Sequence, residues 1–186
     1  MAITDRWNAA LLRNTEDCRR RFGALDAQTL NWKPAPDRWS VAQNLHHLIV
    51  INETYYPILD ALARGSWRTP IPAHIPGLAS LTGKMLLNAM QPDRRRRMKT
   101  VPMWEPSHST IAADIVKQFE THQRVLAEKV ARAAERAMPG TIIHSPASLL
   151  IVYPLATALD LLDAHERRHF EQAQEVLALR GSPGGA

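Results

Sequence analysis

Two of the eight histidines in this 186-residue chain stand four apart, in the stretch His165-Glu166-Arg167-Arg168-His169. On a helix that spacing puts both imidazoles on one face. At about 100° per residue, Leu155, Leu162, Ala173 and Val176 fall on the same broad stripe, so the pair points toward a core. Two buried imidazoles need partners for four ring nitrogens, and a divalent cation satisfies one nitrogen of each. The chemistry implied is metal binding.

The same five letters match H-E-x-x-H, the zinc signature of metallopeptidases. Enzymes of that kind take their third ligand from downstream, yet only 17 residues follow His169 and none is histidine. Glu171 and Glu175 lie on the same helix, too near in sequence to return from a separate element. No upstream edge strand is expected that would hold a peptide, so a metallopeptidase is the weaker alternative. The missing ligand is then expected upstream, where His46 and His47 are adjacent. The apolar stripe there runs through Val41, Leu48, Ile51, Tyr55, Leu59 and Leu62. Measured from Leu48, His47 lies about 100° away on the flank of Ile51 and Ile58, and His46 about 160° away on the other side. His47 therefore faces the interior, and His46 faces solvent or a partner subunit. His47, His165 and His169 make a three-nitrogen site with open positions for water or substrate. His74, His108 and His144 fall in connections, and His122 sits mid-helix with an exposed position open to it.

Other residues take roles around that centre. Glu166 adjoins His165 and is the candidate general base; the alternative is an ordinary helix carboxylate paired with an arginine. Gln172, one turn beyond His169, either orients a ligand or satisfies core polarity. Tyr55, two turns past His47, either lines a pocket or packs in the core. Trp32 and Trp39 read as packing residues at a helix entrance, and the single Cys18 as a small core residue.

Positioning these groups requires long helices. Helical periodicity covers about residues 5–22, 41–63, 111–136 and 147–179. Ser40 and Ser109 are placed to cap the second and third of these, Gly65 to end the second, and Pro139-Gly140 to end the third. A short helix is expected from Leu78 to Met90, inside a connection of more than 40 residues rich in Pro, Gly and basic residues. No alternating run is long enough to predict a sheet. The expectation is an all-α four-helix bundle forming a single domain over 1–186, with a long connection between helices two and three.

Composition limits the function classes. The net charge of +5 is concentrated in Arg94, Arg95, Arg96, Arg97 and Lys99; without those five, 18 basic residues face 18 acidic ones. That run reads as a solvated loop, and no nucleic-acid partner is expected; binding through it would show a steep salt dependence. No stretch approaches the roughly 18 apolar residues of a membrane span. The start of the chain lacks an apolar run and a cleavage site, and one cysteine allows no internal disulfide, so a cytoplasmic location is expected.

Three stretches, taken in order, resemble the DinB/YfiT-like superfamily. In "LNWKPAPDRWSVAQNLHHL" (30–48), Trp39, Ser40, His47 and Leu48 occupy the places of its tryptophan-serine motif and the following histidine-leucine pair. "HSPASLL" (144–150) is similar to the serine-proline start of its last helix. "HERRHFEQ" (165–172) is similar to its terminal H-x-x-x-H with a glutamine three residues later. The resemblance implies an up-down-down-up bundle, often a homodimer, and a divalent cation on His47, His165 and His169. It implies a small-molecule substrate, with metal-dependent transferases for low-molecular-weight thiols and maleylpyruvate isomerase among the relatives. Gln43 stands where many relatives carry an acidic residue and is a candidate for the surroundings of the ligands.

Neutral imidazoles leave the charge of Zn, Ni, Mn or Fe intact, so a bound water or thiol becomes more acidic. The leading reading is a metal-dependent enzyme that activates a small thiol (S-transferase type) or water (hydrolase type) against an electrophile. The alternative is a non-catalytic metal- or ligand-binding stress-response protein.

Overall fold

A computed structural model describes residues 3–90, 101–106, 110–138 and 140–181 of the chain. Helix α1 spans Ile3–Phe22, and a short α2 follows over Ala27–Asn31, where the Asp26 side chain accepts from the Thr29 N–H. Ser40 starts α3 (Val41–Glu53) with a reciprocal cap: its hydroxyl accepts from the Gln43 N–H at 3.1 Å, and its own N–H donates to Gln43 Oε1 at 3.2 Å. Two orphan N–H groups are satisfied this way.

The single helix expected over 41–63 is instead two, α3 and α4 (Tyr56–Ala63). Pro57 lies in the first turn of α4. A proline there lacks the N–H an unbroken helix would use, and its ring crowds the preceding turn. Gly65 ends α4 at φ 70, donating to Leu62 O while Ser66 N donates to Ala61 O. Those two bonds need a left-handed residue, which glycine adopts without a Cβ clash. The short helix expected in the long connection is α5 (Leu78–Met90). Helix α6 spans Ile115–Ala134. The expected cap Ser109, the basic run 94–99, His108 and Pro139 lie outside the described residues.

The last helix, α7, begins at Leu155 rather than at residue 147 as expected, and ends at Arg180. Residues before it form an antiparallel hairpin, β1 (Ile142–Ser145) and β2 (Ser148–Pro154), pairing Ile143 with Tyr153 and His144 with Val152. Isoleucine, valine and tyrosine suit a pleated, half-buried surface, and Pro146-Ala147 form the turn. The protein is therefore mostly helical, in line with the expected helical fold, with a small two-stranded sheet that was not expected.

Helix α1 packs on α6 and α7, α3 on α6 and α7, and α5 on β2 and α7. The buried apolar residues form two clusters. One holds Trp7, Leu11, Tyr55, Leu59, Leu126, Val130, Leu159 and Leu162; the other holds Cys18, Phe22, Leu45, Leu48, Phe119, Phe170 and Val176. Near the junction of the two clusters, α1, α3, α6 and α7 bring together the buried Asn14, Asn52, Gln123 and Glu166. Helices α1 and α7 run from the first cluster to the second; α3 and α6 run the other way.

Candidate metal centre

Helix α3 carries His47 inward, and α7 carries His165 and His169 toward it. One ligand-type atom from each lies within 4.8 Å of the others. Ring centroids are 5.2 Å apart for His47–His165, 4.6 Å for His47–His169 and 4.5 Å for His165–His169. His47 and His169 are almost fully buried, while His165 is half-buried.

The surrounding bonds decide which ring nitrogens are free. The Trp104 carbonyl, in the 3₁₀ turn Pro102–Trp104, accepts from His47 Nδ1 at 2.5 Å. A carbonyl only accepts, so that nitrogen carries the proton and Nε2 keeps its lone pair. Asn44 Nδ2 donates to the Ser40 carbonyl at 2.8 Å, which turns Oδ1 toward His169. His169 Nδ1 donates to that oxygen at 2.8 Å, so its Nε2 is also left as a donor atom for a cation. His165 Nδ1 is buried with no hydrogen-bond partner among the described residues. Such an orphaned atom is costly unless something fills the gap. Three neutral nitrogen donors, two oriented and one without a partner, fit a divalent cation.

Burial lowers the basicity of all three rings. His47 falls to about 4, with nearby His46 adding to the shift, and His165 to about 3, with His47 and Arg168 adding to it. His169 falls well below the ordinary histidine value for the same reasons. All three are therefore in the ligating, neutral form at neutral pH.

Trp39 is more than entrance packing. Its ring stacks on His169 at 5.8 Å and 22°, and sits 4.7 Å from the His47 ring. It walls the histidine cluster from one side.

Glu166 is fully buried, and burial pushes its carboxyl up to about 7. Its oxygens accept from Asn14 Nδ2, Asn52 Nδ2 and Gln123 Nε2, each at 2.8 Å. A metallopeptidase glutamate must face the metal; here both carboxylate oxygens are held by amides from three other helices. Gln43 places its amide oxygen on the cap of α3. Gln172 is half-buried. Tyr55 is buried, and its hydroxyl pairs with that of Tyr153 at 2.8 Å beneath the hairpin. His46 is half-buried, His74 is exposed, and His144 lies in β1 rather than in a connection. The exposed position suggested for His122 is corrected: it is buried, with Nδ1 2.9 Å from the Tyr56 hydroxyl.

Sequence reasoning passed over Asn44 and the Trp104 carbonyl, and read Trp39 only as packing at a helix entrance. Asn44 lies three residues before His47, a spacing that puts both on one side of a helix. A backbone carbonyl from a distant connection leaves no such signal.

The arrangement defines a mostly helical protein whose facing long helices present a three-histidine cluster. Residues 10–173 match the DinB superfamily, and the chain belongs to that superfamily. No curated protein and no solved structure matches it. Among the described residues, no helix is long and apolar enough to cross a membrane.

Proposed function

We propose that this chain holds a divalent cation between His47, His165 and His169 and acts as a metal-dependent enzyme on a small electrophilic substrate. The observation that carries this reading is the convergence of three neutral nitrogens within 4.8 Å, two with their tautomers set by Trp104 and Asn44. A Zn, Ni, Mn or Fe ion at such a site supplies Lewis acidity, which makes a thiol or water nucleophilic at neutral pH. The chain's own residues hold and orient. Asn44 and the Trp104 carbonyl fix two rings, and Trp39 keeps water from one side of the cluster. A general-base role for Glu166 would require it to give up the three amide bonds its oxygens accept from Asn14, Asn52 and Gln123.

The opposite directions of α1 and α7 against α3 and α6 support an up-down-down-up bundle. A single domain, a homodimer and a cytoplasmic location belong to the same proposal. The test is a panel of low-molecular-weight thiols with a generic aryl halide, run on metal-loaded and chelator-treated protein. Metal-dependent conjugation with at least one thiol supports S-transfer. Metal loading with no turnover of any thiol or hydrolysable ester points instead to a non-catalytic binding protein.

A further inference from the structure

Residues 61–90 and 136–159 contain no aspartate or glutamate, and they carry Arg64, Arg68, Lys84 and Arg136. In the fold these two stretches meet: the 3₁₀ turn Ile71–His74 packs on β2 and α5, and α5 packs on β2. Trp67, just before that turn, donates from Nε1 to the Ile142 carbonyl of β1 at 3.1 Å. Six large apolar side chains stand out from this lobe: Ile71, Ile75, Leu81, Met85, Leu149 and Leu150, each between 56% and 85% exposed.

Local structure explains why they project. Leu81, Lys84 and Met85 share one stripe of α5 at three- and four-residue spacing. The other side of that helix is buried through Ala79 and Gly83, and a Cβ at Gly83 would lie 3.0 Å from Thr157 Cγ2 on α7. Close seating on that side turns Leu81 and Met85 outward. Along β2, successive side chains point to opposite faces. Leu149 and Leu150 are nevertheless both exposed, so this end of the hairpin stands clear of the helices, while Val152 and Tyr153 further along are buried. Single apolar residues on a surface need no explanation, but a set presented together by three packed elements marks an interaction face.

We propose that this lobe docks the protein peripherally on an anionic membrane surface, its apolar side chains entering the headgroup region while Arg68 and Lys84 meet lipid phosphates. Charge selects the occupant. Arg68 lies three residues before Ile71, and Lys84 lies between Leu81 and Met85, in stretches without a carboxylate. A second copy seated on the same face would oppose like charges, because a two-fold dimer brings identical patches together. A partner helix needs a groove to lie in. These six side chains protrude instead, and none of them lines the clefts between α1 and α7 or between α3 and α6. A bilayer interface takes protruding apolar groups accompanied by basic ones.

The experiment sediments the full chain with sucrose-loaded vesicles of phosphatidylcholine, alone or mixed equally with phosphatidylglycerol, and reads the partition coefficient. Wild type should bind the anionic vesicles about tenfold or more above the neutral ones, and added salt should weaken that binding. Leu149→Ser combined with Leu150→Ser should lower binding to the anionic vesicles by about tenfold or more, through the lost burial of two leucines. Lys84→Gln should lower it about fivefold, and on the anionic vesicles alone. These positions are exposed, so circular dichroism should show both variants folded. If the leucine variant does not fold, Lys84→Gln decides the question. Wild type that stays in the supernatant with anionic vesicles overturns the proposal. So does binding of the folded variants equal to that of wild type, which would place the attraction elsewhere on this basic chain. A wild-type dimer that the leucine changes convert to monomer in light scattering also overturns it, and makes the face a contact between copies.

Discussion

Replacing Glu166 by glutamine changes stability by an amount that depends on pH, and the buried polar layer sets both sign and size. Three amide groups donate to this carboxylate, each at 2.8 Å. Burial nevertheless dominates, lifting its pKa from the ordinary 4.5 to about 7. The unfolded chain loses this proton above its ordinary value, whereas the folded chain keeps it until about neutrality. The stabilising linkage is thus fully present below the unfolded value and is lost as pH rises through the folded one. Between pH 6 and pH 8 that loss is on the order of 1 kcal/mol. Glutamine has no such titration. It also offers one acceptor oxygen where the carboxyl offered two, which costs about 1–3 kcal/mol for an unpaired buried donor. The penalty of Glu166→Gln should therefore be smaller at pH 8 than at pH 6, by on the order of 1 kcal/mol. Urea unfolding of metal-free wild type and variant at both pH values, followed by far-ultraviolet circular dichroism, measures it. The histidines titrate alike in both proteins and cancel. An equal penalty at both pH values, or a larger one at pH 8, would refute the reasoning: the carboxylate would then be ionised in the fold and held by its amide donors.

Asn44→Ala should weaken metal binding about 10- to 100-fold by freeing the His169 ring, whereas Asn44→Asp should retain most of it; competition with a chromophoric chelator reads both. Because burial holds His47 at about 4 and His165 at about 3, protons compete for the ligands late, and metal affinity should stay nearly flat down to about pH 5.5 in the same assay. The same shifts have a cost without metal. Neutral rings stabilise the fold above the ordinary 6.5, and that contribution is lost as pH falls toward the folded values, so the metal-free chain should lose stability between about pH 6 and pH 4 in acid titrations. Ser40→Ala removes the α3 cap and should cost about 1 kcal/mol in urea unfolding.

Much of the centre was legible because helical periodicity is a strong signal. The four-residue spacing of His165 and His169, and the choice of His47 over His46 by its angle from Leu48, needed no tertiary information. The Ser40 cap and the Gly65 stop were visible as local chemistry. The hairpin was not: β1 has four residues, too few to show alternation, and Pro146 resembles the first residue of a helix while it serves a turn. The break before Pro57 was hidden because apolar spacing continues across it from Ile51 to Leu59. Glu166 looked like a general base from its neighbour in sequence. Its actual partners sit on three other helices, up to 152 residues away, where no local pattern points.

The most direct test of the centre is elemental analysis of protein purified without a histidine tag, alongside His47→Ala and His169→Ala. The wild type should carry about one divalent metal per chain, and each variant should lose most of it while remaining folded. Metal content unchanged in both variants would contradict the assignment of these histidines as the ligands.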